Sequence, residues 1–157
     1  MPIRPFQKED IHPLLELLRA TDVFKEEEVA IALELMEVVA EEKDQQDYAI
    51  CTFVDDSNTV RGYYCVGHTP LTSSTFDLYW IAVDPRLHGQ GIGKQLLQHC
   101  EQYVKAKGGR LIIAETSSQP KYDSTRRFYE RHHYTEASRI VNYYSPGDDL
   151  VVYTKNL

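Results

Sequence analysis

The densest chemical information in the chain lies in Val83-Asp84-Pro85-Arg86-Leu87-His88-Gly89-Gln90-Gly91-Ile92-Gly93-Lys94, where strand character passes into helical character through three closely spaced glycines. Glycine lets a backbone approach a ligand and take positive φ, and the unpaired N–H groups of a helix N-terminus favour an anion. Together these predict a pyrophosphate cradle. Two other glycine-rich cradles fail on spacing. The dinucleotide fingerprint needs a third glycine three residues after the second, where Lys94 stands. A Walker loop ending on Lys94 needs glycine at 88 and Ser or Thr at 95, where His88 and Gln95 stand. Hydride transfer and nucleotide hydrolysis are both disfavoured.

Metal chemistry finds no support either. Cys51, Cys65 and Cys100 are odd in number and widely spaced, so they suggest neither a disulfide framework nor a metal site and read as small buried apolar residues. His132-His133 has no ligand spacing with Cys or acidic partners and reads as a helix C-terminal feature.

The elements that position the glycine loop follow from hydrophobic periodicity. Met1 to Phe6 predicts a short strand, then a helix with Ile11, Leu14, Leu15 and Leu18 inward, Asp10 as its cap and Pro13 in its first turn. A second helix over Glu26 to Glu42 turns Val29, Leu33, Met36 and Val39 inward. Strands follow over Tyr48 to Val54, Arg61 to Gly67 and Phe76 to Val83, the first two joined by Asp55-Asp56-Ser57-Asn58. From Gly91 a helix carries Ile92, Leu96, Leu97, Cys100, Tyr103 and Val104 on one face and stops at Gly108-Gly109. Leu111 to Ala114 is a buried strand reached through that helix, hence parallel to Phe76 to Val83. A helix over Asp123 to His132 and two strands, Glu136 to Tyr144 and Leu150 to Thr154, complete the chain. The fold class is α/β (α+β mixed): a central mixed, mostly antiparallel sheet of about seven strands, helices on both faces, and one domain over 1–157. A ligand cleft is expected at the parallel crossing.

At this point the chain resembles the GNAT superfamily of acetyl-coenzyme A-dependent N-acetyltransferases. The family's cofactor motif, Gln or Arg, two residues, Gly, one residue, then Gly or Ala, falls on His88, Gly91 and Gly93, with His88 as the departure. A histidine there can still donate to phosphate, although it is neutral for much of the time near pH 7. Downstream, Phe128 and Tyr129 match the family's Asn-x-x-Ala-x-x-Phe-Tyr-x-x-x-Gly-Phe segment, while Tyr122, Thr125, His133 and Tyr134 replace its Asn, Ala, Gly and Phe. The resemblance implies acetyl-coenzyme A as co-substrate, no metal, and cofactor contacts from Ile81, Ala82, Val83, His88, Gly89, Gln90, Gly91, Ile92, Gly93, Lys94, Tyr122 and Phe128. Backbone N–H groups near Ile81 to Val83 would serve the oxyanion once that strand splays from its parallel neighbour.

Transfer of an acetyl group to an amine needs a neutral nucleophile, a donor for the oxyanion, a proton for the departing thiolate and alignment of both substrates. By resemblance Tyr129 supplies the proton. Asp77, on the strand where histone-acetylating relatives carry a glutamate, is one candidate base; Glu115, at the end of the Leu111 to Ala114 strand, is its rival. Either carboxylate could instead hold the acceptor's cation. Arg86, Lys94, Arg126 and Arg127 are candidates for the nucleotide phosphates, with solvated helix-face charge as the plainer explanation. Tyr63, Tyr64, His68, Tyr143 and Tyr144 are candidates for an acceptor pocket, with core and hairpin packing as the alternative.

Seventeen Lys and Arg against twenty-four Asp and Glu give a formal charge of −7, which argues against nucleic acid or an anionic membrane as partner and leans toward a cationic acceptor. Met1-Pro2-Ile3-Arg4-Pro5-Phe6 lacks a secretory pattern, and no apolar run approaches the roughly 18 residues of a membrane span, so a cytoplasmic location is expected. The acceptor is a primary amine of a small molecule, or a protein N-terminus or lysine, attacking directly within a ternary complex; a homodimer is left open. A non-catalytic acyl-coenzyme A-binding or regulatory module is the alternative, and a longer acyl donor or an alcohol acceptor a third reading.

Overall fold

A computed structural model describes residues 2–157, so Met1 of the expected first strand lies outside the described residues. The elements follow the expected order: β1 (Ile3–Pro5), α1 (Ile11–Ala20), α2 (Glu26–Glu41), β2 (Ala49–Val54), β3 (Val60–His68), β4 (Thr75–Val83), α3 (Ile92–Ala106), β5 (Leu111–Ser117), α4 (Asp123–Arg131), β6 (Thr135–Ser145) and β7 (Asp148–Asn156). They form one seven-stranded sheet in the order β1-β2-β3-β4-β5-β7-β6, antiparallel except where β4 meets β5.

Helices cover both faces. On one, Leu14, Leu17 and Leu18 of α1 and Val29, Ala32 and Met36 of α2 pack on Ile50, Tyr63, Cys65 and Ala82. On the other, Ile92, Leu96, Leu97, Cys100 and Val104 of α3 and Tyr129 of α4 pack on Phe53, Tyr64, Val66, Leu78, Ile112 and Ala114. Leu96 is fully enclosed, so truncating it to alanine would cost roughly 2–5 kcal/mol through lost burial and the cavity left behind. All three cysteines are free and buried. No helix among the described residues is long and apolar enough to cross a membrane.

Several local expectations are corrected. Asp10 does not cap α1 with its side chain. Its carboxylate is 2 % exposed and accepts from Arg4 Nη1 (2.8 Å) and Nη2 (2.9 Å), Gln7 N (2.9 Å) and Thr52 Oγ1 (3.0 Å), because a buried charge is stabilised by a full set of donors more than by one frayed helix end. Along α2 the buried stripe runs through Val29, Ala32, Met36 and Ala40, with Leu33 and Val39 only half-buried. β2 starts after Tyr48, whose backbone is held by both ends of the Gln45 amide at 2.8 and 3.0 Å. β5 runs to Ser117, past the expected end at Ala114, since β7 pairs with it from Leu111↔Asn156 to Ser117↔Leu150. The ladder overrides the weak strand preference of Glu115-Thr116-Ser117.

The feature that makes the site is where β4 and β5 part. Their parallel ladder covers only Thr75↔Leu111, Phe76↔Ile112 and Asp77↔Ile113. Beyond it β4 continues along β3 to Val83, and β5 continues along β7 to Ser117. The β3 ladder passes from Val66↔Leu78 to Cys65↔Trp80, leaving Tyr79 as an extra residue on β4. Such a bulge bends and twists its strand.

Candidate active site

The opening between β4 and β5 holds a cleft of about 360 Å³. Tyr129 of α4 and Glu115 and Thr116 of β5 line it together with Ile81 of β4. Side chains alternate along β5, so Glu115 faces away from the side on which Ala114 and Thr116 lie. Thr116 is 5 % exposed, and its Oγ1 is buried without a hydrogen-bond partner.

Tyr129 is 5 % exposed and packed against the rings of Phe128, Tyr134 and Tyr153, at centroid distances of 5.7, 5.5 and 5.6 Å. Burial, seconded by neighbouring Cys100, raises its pKa above the ordinary tyrosine value. A phenol in that state keeps its proton at neutral pH and is available as a donor.

The free edge of β4 supplies backbone groups. Asp84 N donates to Arg61 O at 2.8 Å, toward β3. Main-chain groups alternate in direction along a strand, so those of Val83 and Ile81 point into the gap that β5 has left, whereas those of Ala82 face β3. The expected donors near Ile81 to Val83 therefore reduce to two.

Asp84 sets the exit from β4 into the glycine loop. Its carboxylate is held at about 2, mainly by the Arg86 guanidinium and backbone N–H and further by Arg61, against the opposing effect of burial. The bonds run from Arg86 Nη2 (2.8 Å), Nε (3.1 Å) and N (3.0 Å) and from Arg61 Nη1 (3.1 Å). After a short 3-10 turn over Pro85–Leu87 the chain reaches exposed His88, then Gly89 at φ 84° and Gly91 at φ 82°, the N-cap of α3. A side chain on either glycine would meet nothing within 4 Å, so both backbones border open space. The first bond of α3 runs from Gln95 N to Gly91 O at 3.1 Å, which leaves the N–H groups of Ile92, Gly93 and Lys94 as the unpaired donors of its first turn. Backbone in open space around unpaired donors fits a pyrophosphate. Gly93 serves differently: a Cβ there would sit 3.0 Å from Phe128 Cε1, so its absence lets α4 pack against the loop.

The other expected residues divide. Tyr122 lines the cleft and donates to Glu28 Oε2 at 3.4 Å, tying the entry of α4 to the first turn of α2; burial and then Glu28 raise its pKa. Asp77 lies outside the cleft lining, its Oδ2 accepting from Thr69 Oγ1 at 2.7 Å. Gln90 lines a separate hollow of about 280 Å³ with Asp55, Arg61 and Leu87. Arg86 is engaged by Asp84, and Arg126 by the carbonyls of Ser117 and Gln119 and by Asp123, so the phosphate role read for these two is replaced by holding loops. Lys94 and Arg127 are exposed. Of the tyrosines read as pocket candidates, Tyr63 and Tyr64 are core and Tyr144 lines the cleft. Sequence reading missed Phe24, Glu27 and Glu28, Tyr79 and Trp80, and Asp148 as cleft residues. Their only signal, the Glu26-Glu27-Glu28 run, looks like an ordinary acidic first turn.

Residues 12–134 match the model of the acetyltransferase (GNAT) family. The chain belongs to the GNAT family. A GNAT-family protein from Desulfovibrio desulfuricans superposes with a TM-score of 0.89 at 35 % identity, over 98 % of this chain and 97 % of its own. An aminoglycoside 6′-N-acetyltransferase complexed with coenzyme A (TM-score 0.76, 18 % identity, 99 % and 97 % covered) shares the fold. So does the PaiA N-acetyltransferase of Thermoplasma acidophilum in complex with coenzyme A (TM-score 0.76, 20 % identity, 99 % and 98 % covered). No curated protein matches the chain significantly. As a GNAT enzyme it is an acyltransferase that takes its acetyl group from acetyl-coenzyme A.

Proposed function

We propose that this GNAT enzyme transfers the acetyl group to a primary amine by direct attack in a ternary complex, acting as one cytoplasmic domain. The observation that carries this reading is the convergence of Tyr129 and Glu115 on one cleft at the parting of β4 and β5. The glycines of the loop and the first N–H groups of α3 hold the pyrophosphate, while His88 and Lys94 lie at its rim and Tyr122 and Phe128 brace the helix beside it. The main-chain groups of Ile81 and Val83 align the pantetheine arm and steady the thioester oxygen as negative charge develops on it. Glu115, directly or through water, takes the proton that the amine must lose, since a free alkyl ammonium has a pKa near 10.4. Asp77, held by Thr69 outside the cleft, is left with a structural role. The amine nitrogen forms its bond to the carbonyl carbon, the C–S bond breaks, and Tyr129 O–H protonates the departing thiolate.

Tyr129→Phe tests this, with free thiol release measured across an amine panel. Loss of a positioned acid lowers kcat by about a hundredfold or more, with the KM for acetyl-coenzyme A little changed. Unchanged turnover would remove the proposed acid. Tight coenzyme A binding with no transfer to any amine would restore the non-catalytic reading.

A further inference from the structure

The acceptor side of the cleft has a chemistry of its own. Four carboxylates line it, Glu27 and Glu28 from α2, Glu115 from β5 and Asp148 from β7, against the ammonium groups of Lys25 and Lys121. None of the four carboxylates joins an ion pair among the described residues. Glu28 meets only the Lys25 N–H at 3.0 Å and the distant Tyr122 hydroxyl, and Asp148 accepts from Ser117 Oγ. Glu28, Glu115 and Asp148 share the lining with Tyr144, whose hydroxyl is pushed up to about 12, first by burial and then by Glu115, Tyr143, Asp148 and Glu28. Lys121 is turned onto the Tyr122 ring, 5.6 Å from its centroid, and forms no ion pair with the group.

Two features besides the charge mark the cleft as a binding site. The Thr116 hydroxyl, on a residue of the lining, is buried and has no hydrogen-bond partner in the protein. Aromatic faces complete the wall: Phe24 and Trp80 stand edge to face with centroids 5.0 Å apart, beside Tyr79 and Tyr144. Aromatic faces and carboxylates together are the surroundings that desolvate and hold alkyl ammonium groups. Four carboxylates against two lysine ammonium groups leave the lining with an excess of two negative charges, within a cleft of small-molecule size.

We propose that the acceptor is a flexible di- or polyamine whose reacting nitrogen lies between Glu115 and Tyr129 while a second ammonium is held at the α2 end by Glu27 and Glu28. This rests on the acetyl-transfer reading above and deepens it. One nitrogen loses a proton and becomes an amide; the other keeps its charge throughout and supplies binding and alignment.

Trp80 is the single tryptophan of the sequence and lines the cleft, so its fluorescence reports occupancy without any turnover. Spermidine and 1,4-diaminobutane are compared with n-butylamine and a lysine-containing peptide, by titration of Trp80 emission and by thiol release with acetyl-coenzyme A. Both polyamines saturate the emission change, and their kcat/KM exceeds that of butylamine by about tenfold or more, the worth of one charge-assisted contact. Glu28→Gln, with the same shape and its fold checked by circular dichroism, cuts that ratio about tenfold, and Glu28→Asp recovers part of it. The proposal is overturned if butylamine or the peptide matches the polyamines, or if Glu28→Gln leaves the ratio unchanged; acetyl transfer then stands on its own. Saturable polyamine binding without turnover of any amine would support the site and sink the transfer reading.

Discussion

Asp84→Asn separates charge from shape at the launch point of the glycine loop. The replacement keeps an oxygen facing the Arg86 N–H and removes the charge that both guanidinium groups address. Holding a carboxyl at about 2 in place of 3.8 corresponds to about 2 kcal/mol in favour of the ionised folded state. The Arg86 side chain is 78 % exposed and its share is screened by solvent, whereas the Asp84 side chain is 6 % exposed, so the expected loss is roughly 1–2 kcal/mol. Because the folded pKa is depressed, this stability is fully present above the unfolded value near 4 and is lost as pH falls through about 2. Urea denaturation of both proteins at pH 7, 5 and 3 should therefore show a gap that is constant at the first two and narrowing at the third. Since Asp84 fixes the turn leading to Gly89 and Gly91, the KM for acetyl-coenzyme A should rise as well. A gap that persists unchanged into acid, or no gap at pH 7, would refute the argument.

Gly91→Ala forces a side chain onto φ 82°, at a cost of about 1–2 kcal/mol, and places a methyl group in open space where the pyrophosphate is expected. Coenzyme A affinity, measured by calorimetry, should fall by more than the stability loss explains; equal losses would mean the glycine serves the turn alone. Stability should also fall above about pH 10, where unfolded tyrosines ionise while buried Tyr63, Tyr64, Tyr129 and Tyr134, all raised by burial, remain neutral in the fold. Phenolate absorbance from these residues should appear together with unfolding, and its appearance in a folded protein would contradict their burial.

The glycine loop, the Leu96-Leu97 face of α3 and the pairing of β2 with β3 could be read directly, because local spacing determines them. Reading failed where distant parts of the chain decide the outcome. Asp10 has the type and position of a cap, yet Arg4 and Thr52 compete for it through a contact forty-two residues away in sequence. Glu115 seemed to follow a strand, whereas β7 draws it into one. Glu27 and Glu28 sit on an ordinary acidic helix start, and only the placement of α2 beside the parted strands brings them to the cleft. Glu115 stood in sequence as the rival to Asp77; the parallel ladder takes in Asp77 and ends two residues before Glu115, which lines the cleft.

The extra residue at Tyr79 makes the parity of β4 a design variable. Val66↔Leu78 and Cys65↔Trp80 enclose it, so the two halves of the strand are out of step: Phe76 and Leu78 pack on the α3 side of the sheet, Trp80 and Ala82 on the side of α1 and α2. Were every residue of β4 paired one for one with β3, Trp80 through Val83 would change faces, and Ile81 and Val83 would turn their main-chain groups toward β3. The inserted residue acts as a phase shift: it sets an aromatic wall on the side of α2 and leaves the main-chain groups of Ile81 and Val83 facing the space that β5 has vacated.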